Sequence, residues 1–309
     1  MQKVQLSVFL PDSFLAETKD LKLKTSKVGI IGRVLAVFNV NKVIIYKDTS
    51  EGSFDNINSN RINSNRINSN RHGLSRNTSD KYGLNRTNSH GEFISKLLNY
   101  MDTPQYLRKS FFPIESDLKH VGILPPLRTP NHPTGEEFGL GQYRQGLTIK
   151  RNKKGTFVDI GIDELAFCKE QLTVNKVFSF KVIKVAKEVI VTPDVPMDRY
   201  WGYEAIYTQK TLKNSLKLIN PDLVLLTTRY GHEINSIFDD LKSRTIDSKS
   251  MALLFGGSYK GISEDVGESI KNLQLDVAEV NTVPNQGTET VRTEEALIST
   301  LAILNMMVQ

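Results

Sequence analysis

The stretch TSKVGIIGRVLAVFNVNKVIIY, residues 25–46, decides the fold. Apolar residues recur at helical spacing over its first half, where Thr25 or Ser26 can cap the N-terminus of a helix. A short polar turn follows, and Lys42–Tyr46 is then an apolar run with the length of a buried strand. The residues upstream, Val4–Leu10, alternate as a strand does, so we predict a strand–helix–strand unit that starts a parallel sheet.

The composition places the chain among globular proteins. It has 309 residues, of which 39% are hydrophobic and 24% charged, and this length suggests about two domains. We find no apolar run long enough to cross a bilayer, no signal peptide, and a single cysteine, Cys168, which excludes an internal disulfide. We therefore expect no membrane partner and an intracellular location, cytoplasmic, or nuclear or nucleolar if the source is eukaryotic.

The charge is moderately basic and unevenly distributed. The formal net charge of +6 permits an anionic partner without identifying one. Residues 139–190 hold ten Lys and Arg against five Asp and Glu, which is most of the excess. A nucleic-acid contact is therefore expected mainly in this part of the chain.

The segment 50–91 has a different composition from its neighbours. The pentapeptide INSNR occurs three times in tandem between residues 57 and 71, and a looser polar tract follows it. Such a segment buries too little apolar surface to offset the entropy of ordering, so we expect a disordered, Asn-rich insertion. Its spaced arginines are weak evidence for RNA contact.

Short alternating strands dominate the middle of the chain. The stretches LTIK, TFVDIGI, ELAFC and KVFSFKVIKVAKEVIVTP lie between residues 147 and 193. About five such strands predict a small β-barrel of the OB type, inserted at residues 119–196. Phe178 and Phe180 alternate with lysines and can form a stacking surface for RNA bases, but alternation equally allows both rings to face the barrel core.

The strand–helix pattern returns after the barrel. We predict a helix at Trp201–Leu218 and then buried strands in DLVLL, SMALLF and LQLDVAEV, each running into a polar loop that contains glycine or proline. The last loop leads into a C-terminal helix that begins near Glu294. The predicted fold class is therefore α/β, with one discontinuous domain at 1–118 plus 197–309 and the barrel inserted in it.

The three polar loops are LLTTRYG, LLFGGSYKG and EVNTVPNQGTETVRTEE. Because ligands of α/β sheets bind beyond the carboxyl ends of the strands, we predict that these loops form one composite site. We expect Gly256, Gly257 and Gly287 to allow close approach of the backbone to a ligand with an adenine edge and ribose hydroxyls, although glycines in a single loop can serve only to turn the chain.

The common alternatives for such a site lack their motifs. No GxGxxG follows a strand, and neither GxxxxGK[ST] nor GxSxG occurs. The five histidines show no metal-ligand spacing, so we predict no metal site.

Three stretches of this sequence resemble motifs of the SPOUT class of RNA methyltransferases. KVGIIGRVLAVFNVNKVIIY is similar to the first motif of the class, LLFGGSYKGI to its second loop, and NTVPNQGTETVRTEEALISTLAIL to its third. With the inserted barrel and the segments TPQYLRKSFFP and LPPLRTPNHP, the chain resembles the archaeal and eukaryotic branch that carries an OB-like insertion. The resemblance covers nearly the whole chain except about residues 50–91.

This resemblance implies a knotted parallel sheet, the SPOUT α/β knot, in which the C-terminal segment threads through an earlier loop as a trefoil. It implies that the knotted loops bind S-adenosyl-L-methionine in a bent shape. The residues that it assigns to the cofactor are Thr227, Thr228, Phe255, Gly256, Gly257, Asn281, Thr282, Val283, Asn285, Gln286, Gly287, Thr288, Val291, Arg292 and Thr293. It also implies a homodimer through the knot helices and an RNA substrate; the branch is linked with ribosomal RNA, including uridine N3.

The catalytic candidates are two charged residues. We expect Arg33 to steer an RNA phosphate or to stabilise an anion that develops on a base, although a surface arginine is the alternative. Glu294 is the candidate for contact with the acceptor, and its alternative is an electrostatic role at a helix N-terminus.

The expected RNA contacts combine basic and aromatic side chains: Arg108, Lys109, Lys150, Arg151, Lys153, Lys154, Phe178 and Phe180. Two other functions remain open at this point. One is a non-catalytic RNA-binding protein of the same fold, and the other is a protein methyltransferase.

Overall fold

The computed structural model describes residues 4–48, 89–133, 139–257, 261–262 and 264–307. They form a six-stranded sheet with helices and a closed five-stranded barrel. The predicted α/β class with an inserted β-barrel is thereby confirmed.

The elements are, in chain order, β1 (Gln5–Pro11), α1 (Leu21–Val37), β2 (Lys42–Tyr46), α2 (His90–Asp102), α3 (Gln105–Phe111), β3 (Tyr143–Asn152), β4 (Gly155–Asp159), β5 (Ala166–Cys168), β6 (Val177–Lys184), β7 (Ile190–Pro193), β8 (Glu204–Thr208), α4 (Leu212–Ile219), β9 (Leu223–Glu233), α5 (Ile234–Asp247), β10 (Ser250–Leu254), α6 (Glu264–Lys271), β11 (Asp276–Asn281) and α7 (Thr293–Met307). Short 3-10 turns lie at Asp12–Leu15, Ser116–Leu118 and Val121–Ile123.

The six-stranded sheet is entirely parallel and has the order β11-β9-β10-β1-β2-β8. Its central strands are continuous apolar runs because helices cover both faces. Val8 and Ile45 face a core shared with α1, α2, α5 and α7, whereas Phe9 and Ile44 face the side of α4 and α6. The carboxyl ends of all six strands therefore meet at one edge, where the polar loops emerge.

Helix α1 starts one turn earlier than we predicted. Asp20 is its N-cap, and the Asp20 carboxylate accepts a 2.9 Å hydrogen bond from the Leu23 amide. Thr25, predicted as a cap, is buried inside the helix and donates from Oγ1 to the Leu21 carbonyl at 2.8 Å. The prediction at Ser26 was wrong for the same reason, because both residues lie within the first turns of the helix.

Helix α2 corrects the end of the predicted insertion. Ser89 and Glu92 form a capping box, and His90 and Gly91 already belong to the helix. A Cβ at Gly91 would lie 2.1 Å from the ring of Tyr207 on β8, so only glycine allows this contact. The rest of the predicted insertion, up to residue 88, lies outside the described residues.

The helix predicted at Trp201–Leu218 is wrong over its first half. Residues 204–208 form β8, which pairs in parallel with β2 from Lys42–Glu204 to Tyr46–Thr208, and only Leu212–Ile219 is helical. The open edge of β2 provides hydrogen-bonding partners for this segment, and sheet pairing of this kind overrides a weak helical spacing.

The barrel closes in the strand order β3-β4-β5-β7-β6. Strands β5 and β7 are parallel and the other neighbouring pairs are antiparallel. Its core consists of Val158, Ile160, Ala166, Cys168, Phe180, Val182 and Val191.

A polar cluster joins the barrel to the α/β domain at the end of α2. The Asp102 carboxyl accepts a 3.0 Å hydrogen bond from the Tyr203 amide and also bonds to Asn131 and to Gln145 of β3. Tyr106 on α3 donates to the Gln145 carbonyl at 2.8 Å. Burial raises the pKa of Asp102 to about 7. The connection between the two units is therefore hydrogen-bonded on both sides.

The barrel boundary at residue 119 remains a prediction. Leu127 packs in the α/β core, and Leu124 and Pro125 approach Gly29 of α1 closely. This part of the incoming connection therefore lies on the α/β domain. Within the described ranges, no helix is both long and apolar enough to cross a membrane.

Candidate functional site

A pocket of about 620 Å³ opens at the carboxyl edge of β9, β10 and β11. Its walls are the C-terminal parts of β9 and β11, the residues that follow β10 and β11, and the first turn of α7. The stretch LLTTRYG, which we predicted as a loop after a strand, belongs to β9 itself. The three loops that we expected to form one composite site therefore lie around one pocket. The volume is within the range of roughly 300–1,000 Å³ that small-molecule sites occupy.

An irregularity in β9 forms one wall of this pocket. The pairing of β11 with β9 jumps from Glu279–Leu226 to Val280–His232, so residues 227–231 bulge out of the ladder. Bulges of this kind redirect side chains next to functional sites. Here the bulge places Thr227 and Thr228 on the pocket wall.

Three hydroxyl groups fix the backbone where β10 ends. Thr227 donates to the Leu254 carbonyl at 2.7 Å, Tyr46 to the Phe255 carbonyl at 2.7 Å, and Thr293 to the Gly256 carbonyl at 3.3 Å. Burial raises the pKa of Tyr46 well above its usual value, so this phenol stays a donor. Strands β9 and β2 and helix α7 thus hold the floor of the pocket in one conformation.

Gly256 is required by the close approach of the same loop to itself. A Cβ at this position would lie 2.1 Å from the carbonyl carbon of Gly261 and 2.4 Å from the amide nitrogen of Ile262. Both partners are backbone atoms that line the pocket and cannot rotate away. Any side chain at 256 therefore reshapes the floor.

The terminal loop between β11 and α7 is held by its own side chains. Asn281 donates to the Arg229 carbonyl at 3.0 Å and accepts from the Val283 amide at 3.0 Å. Gln286 donates to the carbonyls of Thr288 and Glu289 at 2.9 and 3.1 Å. These bonds order the loop because each replaces a partner that water would otherwise supply.

Most of the residues predicted for the cofactor line this pocket. They are Thr227, Thr228, Phe255, Gly256, Gly257, Asn281, Thr282, Val283, Gln286, Val291 and Thr293. The pocket lining does not include Asn285, Gly287, Thr288 or Arg292, which are exposed in the terminal loop. In a loop that turns back on itself, some of the residues must face solvent.

The prediction missed several residues of the lining: Arg229, Tyr230, Gly261, Ile262, Val280, Glu289, Thr290 and Ala296. Arg229 and Tyr230 directly follow the predicted threonines in LLTTRYG, so extending that motif to the glycine finds them. The others depend on the bulge in β9 and on the turn of the terminal loop, which have no signature in the sequence.

Neither of the two catalytic candidates belongs to the pocket lining, although Glu294 directly follows the lining residue Thr293. Arg33 is not part of the pocket lining, and its Nη1 donates to the carbonyls of Pro126 and Leu127 in the connection to the barrel. The Glu294 carboxylate pairs with Lys27 of α1 at 3.6 Å and is 12% exposed. The placement of Glu294 favours the electrostatic role at the start of α7.

Two carboxylates end β1 and β2 beside the pocket. Ser13 donates to Asp48 at 2.5 Å, and the Asp48 amide donates to the Asp12 carboxylate at 2.9 Å. Gly257 is so near this group that a Cβ there would lie 2.6 Å from the Asp48 carboxylate. Burial raises the pKa of Asp12 above its usual value. The edge that holds the pocket therefore also holds two neighbouring carboxyl groups, Asp12 and Asp48, which are tied together by hydrogen bonds.

The expected RNA contacts divide by exposure. Lys150, Arg151, Lys153 and Lys154 are all exposed on the β3–β4 hairpin, and Lys109 is exposed on α3. Arg108 is instead turned inward: its Nε donates to the Thr103 carbonyl at 2.8 Å and its Nη2 to the Met101 carbonyl at 3.0 Å. Burial lowers the pKa of Arg108, and its guanidinium lies 4.8 Å from the Tyr100 ring centroid.

Of the two phenylalanines predicted to stack on bases, Phe180 is contradicted by the structure, whereas the role of Phe178 stays a prediction. Phe180 is completely buried in the barrel core, and Phe178 is half-buried against that core. Both lie on the inward face of β6 because side chains two apart on a strand share a face. Phe180 therefore has no surface on which a base could stack.

Among the residues that the structure describes, no group of three or more His, Cys, Asp and Glu side chains is placed to hold a metal ion.

Comparison with known proteins gives relatives over nearly the whole chain. A 28S rRNA (uridine-N(3))-methyltransferase of Drosophila melanogaster is 28% identical over 98% of this chain, which spans 62% of that protein. The Homo sapiens protein of the same name is 26% identical over 97% of the chain and 77% of its own length. An uncharacterized protein of Halobacterium salinarum is 25% identical over 97% of this chain and 98% of its own length.

A family model described as "Putative RNA methyltransferase" matches residues 5–304. The match includes β1, the barrel, the three pocket loops and nearly all of α7. The chain therefore belongs to this RNA methyltransferase family.

Proposed function

We propose that this protein is an S-adenosyl-L-methionine-dependent RNA methyltransferase that acts on ribosomal RNA, with uridine N3 as the acceptor. The observation that carries the proposal is the single pocket formed by the three strand-end loops and α7. The family and the substrates named for the fly and human relatives support the same reaction and the same acceptor.

The residues of the pocket fit the cofactor. S-Adenosyl-L-methionine needs space for a purine, hydrogen-bonding groups for ribose hydroxyls and polar groups for an amino acid end. The floor at residues 255–256 presents bare backbone, because the Phe255 side chain is buried in the core, and Thr227, Thr228 and Gln286 supply polar side chains. A volume of about 620 Å³ suits a ligand of this size. When bound, this cofactor supplies a methyl group that its sulfonium has already activated.

The role of the protein in such a transfer is mainly alignment. The fixed carbonyls of residues 254–256 and the ordered terminal loop hold the pocket in one geometry, so little entropy remains to be lost when the acceptor meets the methyl group. This preorganisation is the contribution that we assign to Tyr46 and Thr293, which donate hydrogen bonds to the Phe255 and Gly256 carbonyls of the floor.

The acceptor also has to lose a proton. Uridine N3 carries a hydrogen, and when its lone pair forms the bond to the methyl carbon, that proton must move to a base. Asp48 is not itself part of the pocket lining, but its carboxylate lies against Gly257, which is, so this carboxylate is placed to take the proton and release it to solvent. We assign Asp48 this role in the proposed reaction.

The barrel is the proposed RNA-binding unit. Its strand order is that of a five-stranded Greek-key barrel, the architecture in which OB folds bind oligonucleotides. The four exposed basic residues of the β3–β4 hairpin, from Lys150 to Lys154, give it the charge that phosphates require. A target base inside a helix would have to be turned out to reach the pocket.

We also infer a trefoil knot and a homodimer. The strand order places β11 at one edge of the sheet, yet α7 returns to pack against α1 behind the centre, which supports a threaded C-terminal segment. Leu23, Ile30 and Val37, seven residues apart, form an exposed apolar stripe on α1, and Ile298 and Met306 are exposed on α7, which packs against α1. A second copy of this chain is the proposed occupant, and Arg33 borders the stripe, where it can serve the partner's pocket. Light scattering of the Ile30→Arg variant should give the monomer mass.

Two measurements test the proposed function. Isothermal titration with S-adenosyl-L-methionine should give one site per chain, and the absence of binding, with or without RNA, would reduce the chain to an RNA-binding protein. Transfer of labelled methyl groups from the cofactor should reach total RNA and not total protein. Label in protein alone would favour the protein methyltransferase, although an Arg-rich substrate would meet like charge on the hairpin.

The proposed location follows the substrate, in the cytoplasm or nucleolus.

A further inference from the structure

The outer face of the barrel carries an aromatic pair that the proposed function has not used. Phe157 on β4 and Phe167 on β5 are directly opposite each other in an antiparallel pair. Their ring centroids are 5.3 Å apart, at an interplanar angle of 61°. The flanking residues Val158, Ala166 and Cys168 are buried in the barrel core, so alternation puts both rings on the outside. Both phenylalanines are partly exposed.

A row of basic side chains continues from this pair. Lys150 on β3 is the register partner of Phe157, and its Nζ lies 5.1 Å from the centroid of that ring. Arg151, Lys153 and Lys154 follow in the same hairpin and are exposed. A cation–π contact at an exposed site contributes only about 0.5–1 kcal/mol, so Lys150 can exchange it for a phosphate at little cost.

The other outward aromatic pair of the barrel is less suited to nucleic acid. Tyr143 and Trp201 have centroids 6.0 Å apart, but Tyr143 donates to the Asp194 carboxylate at 2.9 Å and Trp201 to the Ser179 hydroxyl at 2.8 Å. Their polar groups are engaged, and the carboxylate at Asp194 repels a phosphate. A cation lies near each pair, Lys181 at 5.5 Å from the Tyr143 centroid and Lys150 at 5.1 Å from the Phe157 centroid, but the Phe157–Phe167 pair has no polar edge that needs a partner.

We propose that Phe157 and Phe167 are a stacking platform for unpaired bases of a single-stranded RNA segment, whose phosphates contact the row from Lys150 to Lys154. This inference rests on the proposed function, since it names the place where the flanking RNA is held. Stacking on aromatic rings tolerates any base, and the hairpin supplies charge without a sequence code. The platform therefore binds single strands with little sequence preference.

The test uses the full-length protein and a fluorescein-labelled, mixed-sequence single-stranded RNA of about twelve nucleotides, which spans the site size of one such barrel. The variant Phe157→Leu/Phe167→Leu keeps apolar cover over the barrel but removes the aromatic faces. By anisotropy we expect binding about five- to thirtyfold weaker, the loss of roughly one stacked base. The slope of affinity against salt should stay unchanged because every lysine is retained.

Three further variants complete the design. Phe157→Trp/Phe167→Trp should restore the affinity, since tryptophan keeps a stacking face. Lys153→Ala/Lys154→Ala should lower the salt slope by about 0.7 for each phosphate contact that is lost. Phe238→Leu, on α5 of the α/β domain, is the control for loss of a half-buried phenylalanine outside the barrel and should leave RNA affinity unchanged.

Unchanged RNA affinity in the double leucine variant, with its melting temperature preserved, would overturn the platform. Failure of tryptophan to restore binding would also overturn it, because a merely structural role has no need of an aromatic face. In both cases cofactor binding and methyl transfer by the unmodified protein would leave the proposed function intact. If the protein bound the cofactor but no RNA, both the proposed function and the stacking platform would be wrong.

Discussion

The pocket at the carboxyl edge of the sheet and the outer face of the barrel are built in opposite ways. In the pocket, polar side chains are committed to the protein itself: Thr227, Tyr46 and Thr293 each donate to a neighbouring backbone carbonyl. On the barrel, Lys150 and its neighbours extend into solvent. The pocket therefore suits one small ligand in a fixed geometry, whereas the barrel suits a flexible polymer.

This difference predicts that the affinity for the cofactor and the affinity for RNA can be changed independently. Damage to the pocket should abolish cofactor binding and spare RNA binding, and damage to the barrel face should do the reverse. Transfer of the methyl group needs both, and it also needs the junction that positions one against the other. Three substitutions test these statements.

The largest effect is expected in the pocket floor. Gly256→Val forces side-chain atoms against the backbone of residues 261 and 262, so the floor must move. Overpacking of this kind costs about 3 kcal/mol, and we expect cofactor affinity to fall by about 100-fold or more in calorimetry. RNA anisotropy should change less than about twofold.

The matched control is Gly287→Ala in the terminal loop, where a Cβ meets nothing within 4 Å. It should bind cofactor normally. If Gly256→Val lost RNA binding to the same extent as cofactor binding, the separation of the two regions would be wrong.

The second effect concerns the junction and depends on pH. Burial raises the pKa of Asp102 to about 7, so the folded protein keeps this proton while the unfolded chain, near its usual pKa of 3.8, has lost it. The contribution of Asp102 to the unfolding free energy should therefore fall as pH rises from about 4 to 7, by about 1.4 kcal/mol per unit and up to roughly 4 kcal/mol in total. Urea unfolding across this range measures the decline.

Asp102→Asn should flatten that decline, because the amide does not titrate and its oxygen still accepts from the Tyr203 amide. The neighbours that share this environment are Arg108, His132 and Tyr200. Asp239→Asn, at an exposed carboxylate of α5, should leave the pH profile as it is. An equal flattening in both variants would assign the pH dependence to overall charge instead.

The smallest effect is expected from Arg33. Arg33→Ala removes two hydrogen bonds to the connection that carries the barrel, at a cost of about 1–2 kcal/mol in stability. We expect methyl transfer to fall by about tenfold while cofactor affinity changes less than twofold. Arg33→Lys, which keeps the charge and one donor, should recover part of the rate. Equal losses of transfer and cofactor affinity would place Arg33 in the pocket after all.

The sequence predicts the parallel sheet well because each physical signal there is local and unambiguous. Lys42–Tyr46 is a continuous apolar run that only a doubly covered strand explains, and it is β2 to the residue. Convergence of the three loops follows from geometry, since parallel strands share a carboxyl edge. Residues 204–208 were missed because their strand exists only through pairing with β2.

The sequence could not predict which side chains of the barrel strands point inward, and the reason is different. Alternation shows that two sets of residues face opposite ways, but it does not identify which set is inside. Phe180 and Phe157 occupy comparable positions in apolar alternating strands, and only closure of the barrel puts the first inside and the second outside. The inward direction of Arg108 was missed for a similar reason. Its side chain bonds to backbone carbonyls at the end of α2, and any residue type at those positions would provide them.

The hydrogen-bonded junction has one more consequence for substrate choice. On the N-terminal side of the barrel, Tyr106 of α3 donates a hydrogen bond to the Gln145 carbonyl of β3. On the C-terminal side, the Tyr203 amide donates to the Asp102 carboxyl at the end of α2. The barrel is therefore attached to the α/β domain at two separate points. Two attachment points hold the barrel at a fixed distance from the pocket. An RNA bound to the barrel would then be selected by the number of nucleotides between its bound segment and its reactive base. A target with the right nucleotide at the wrong distance would not be methylated.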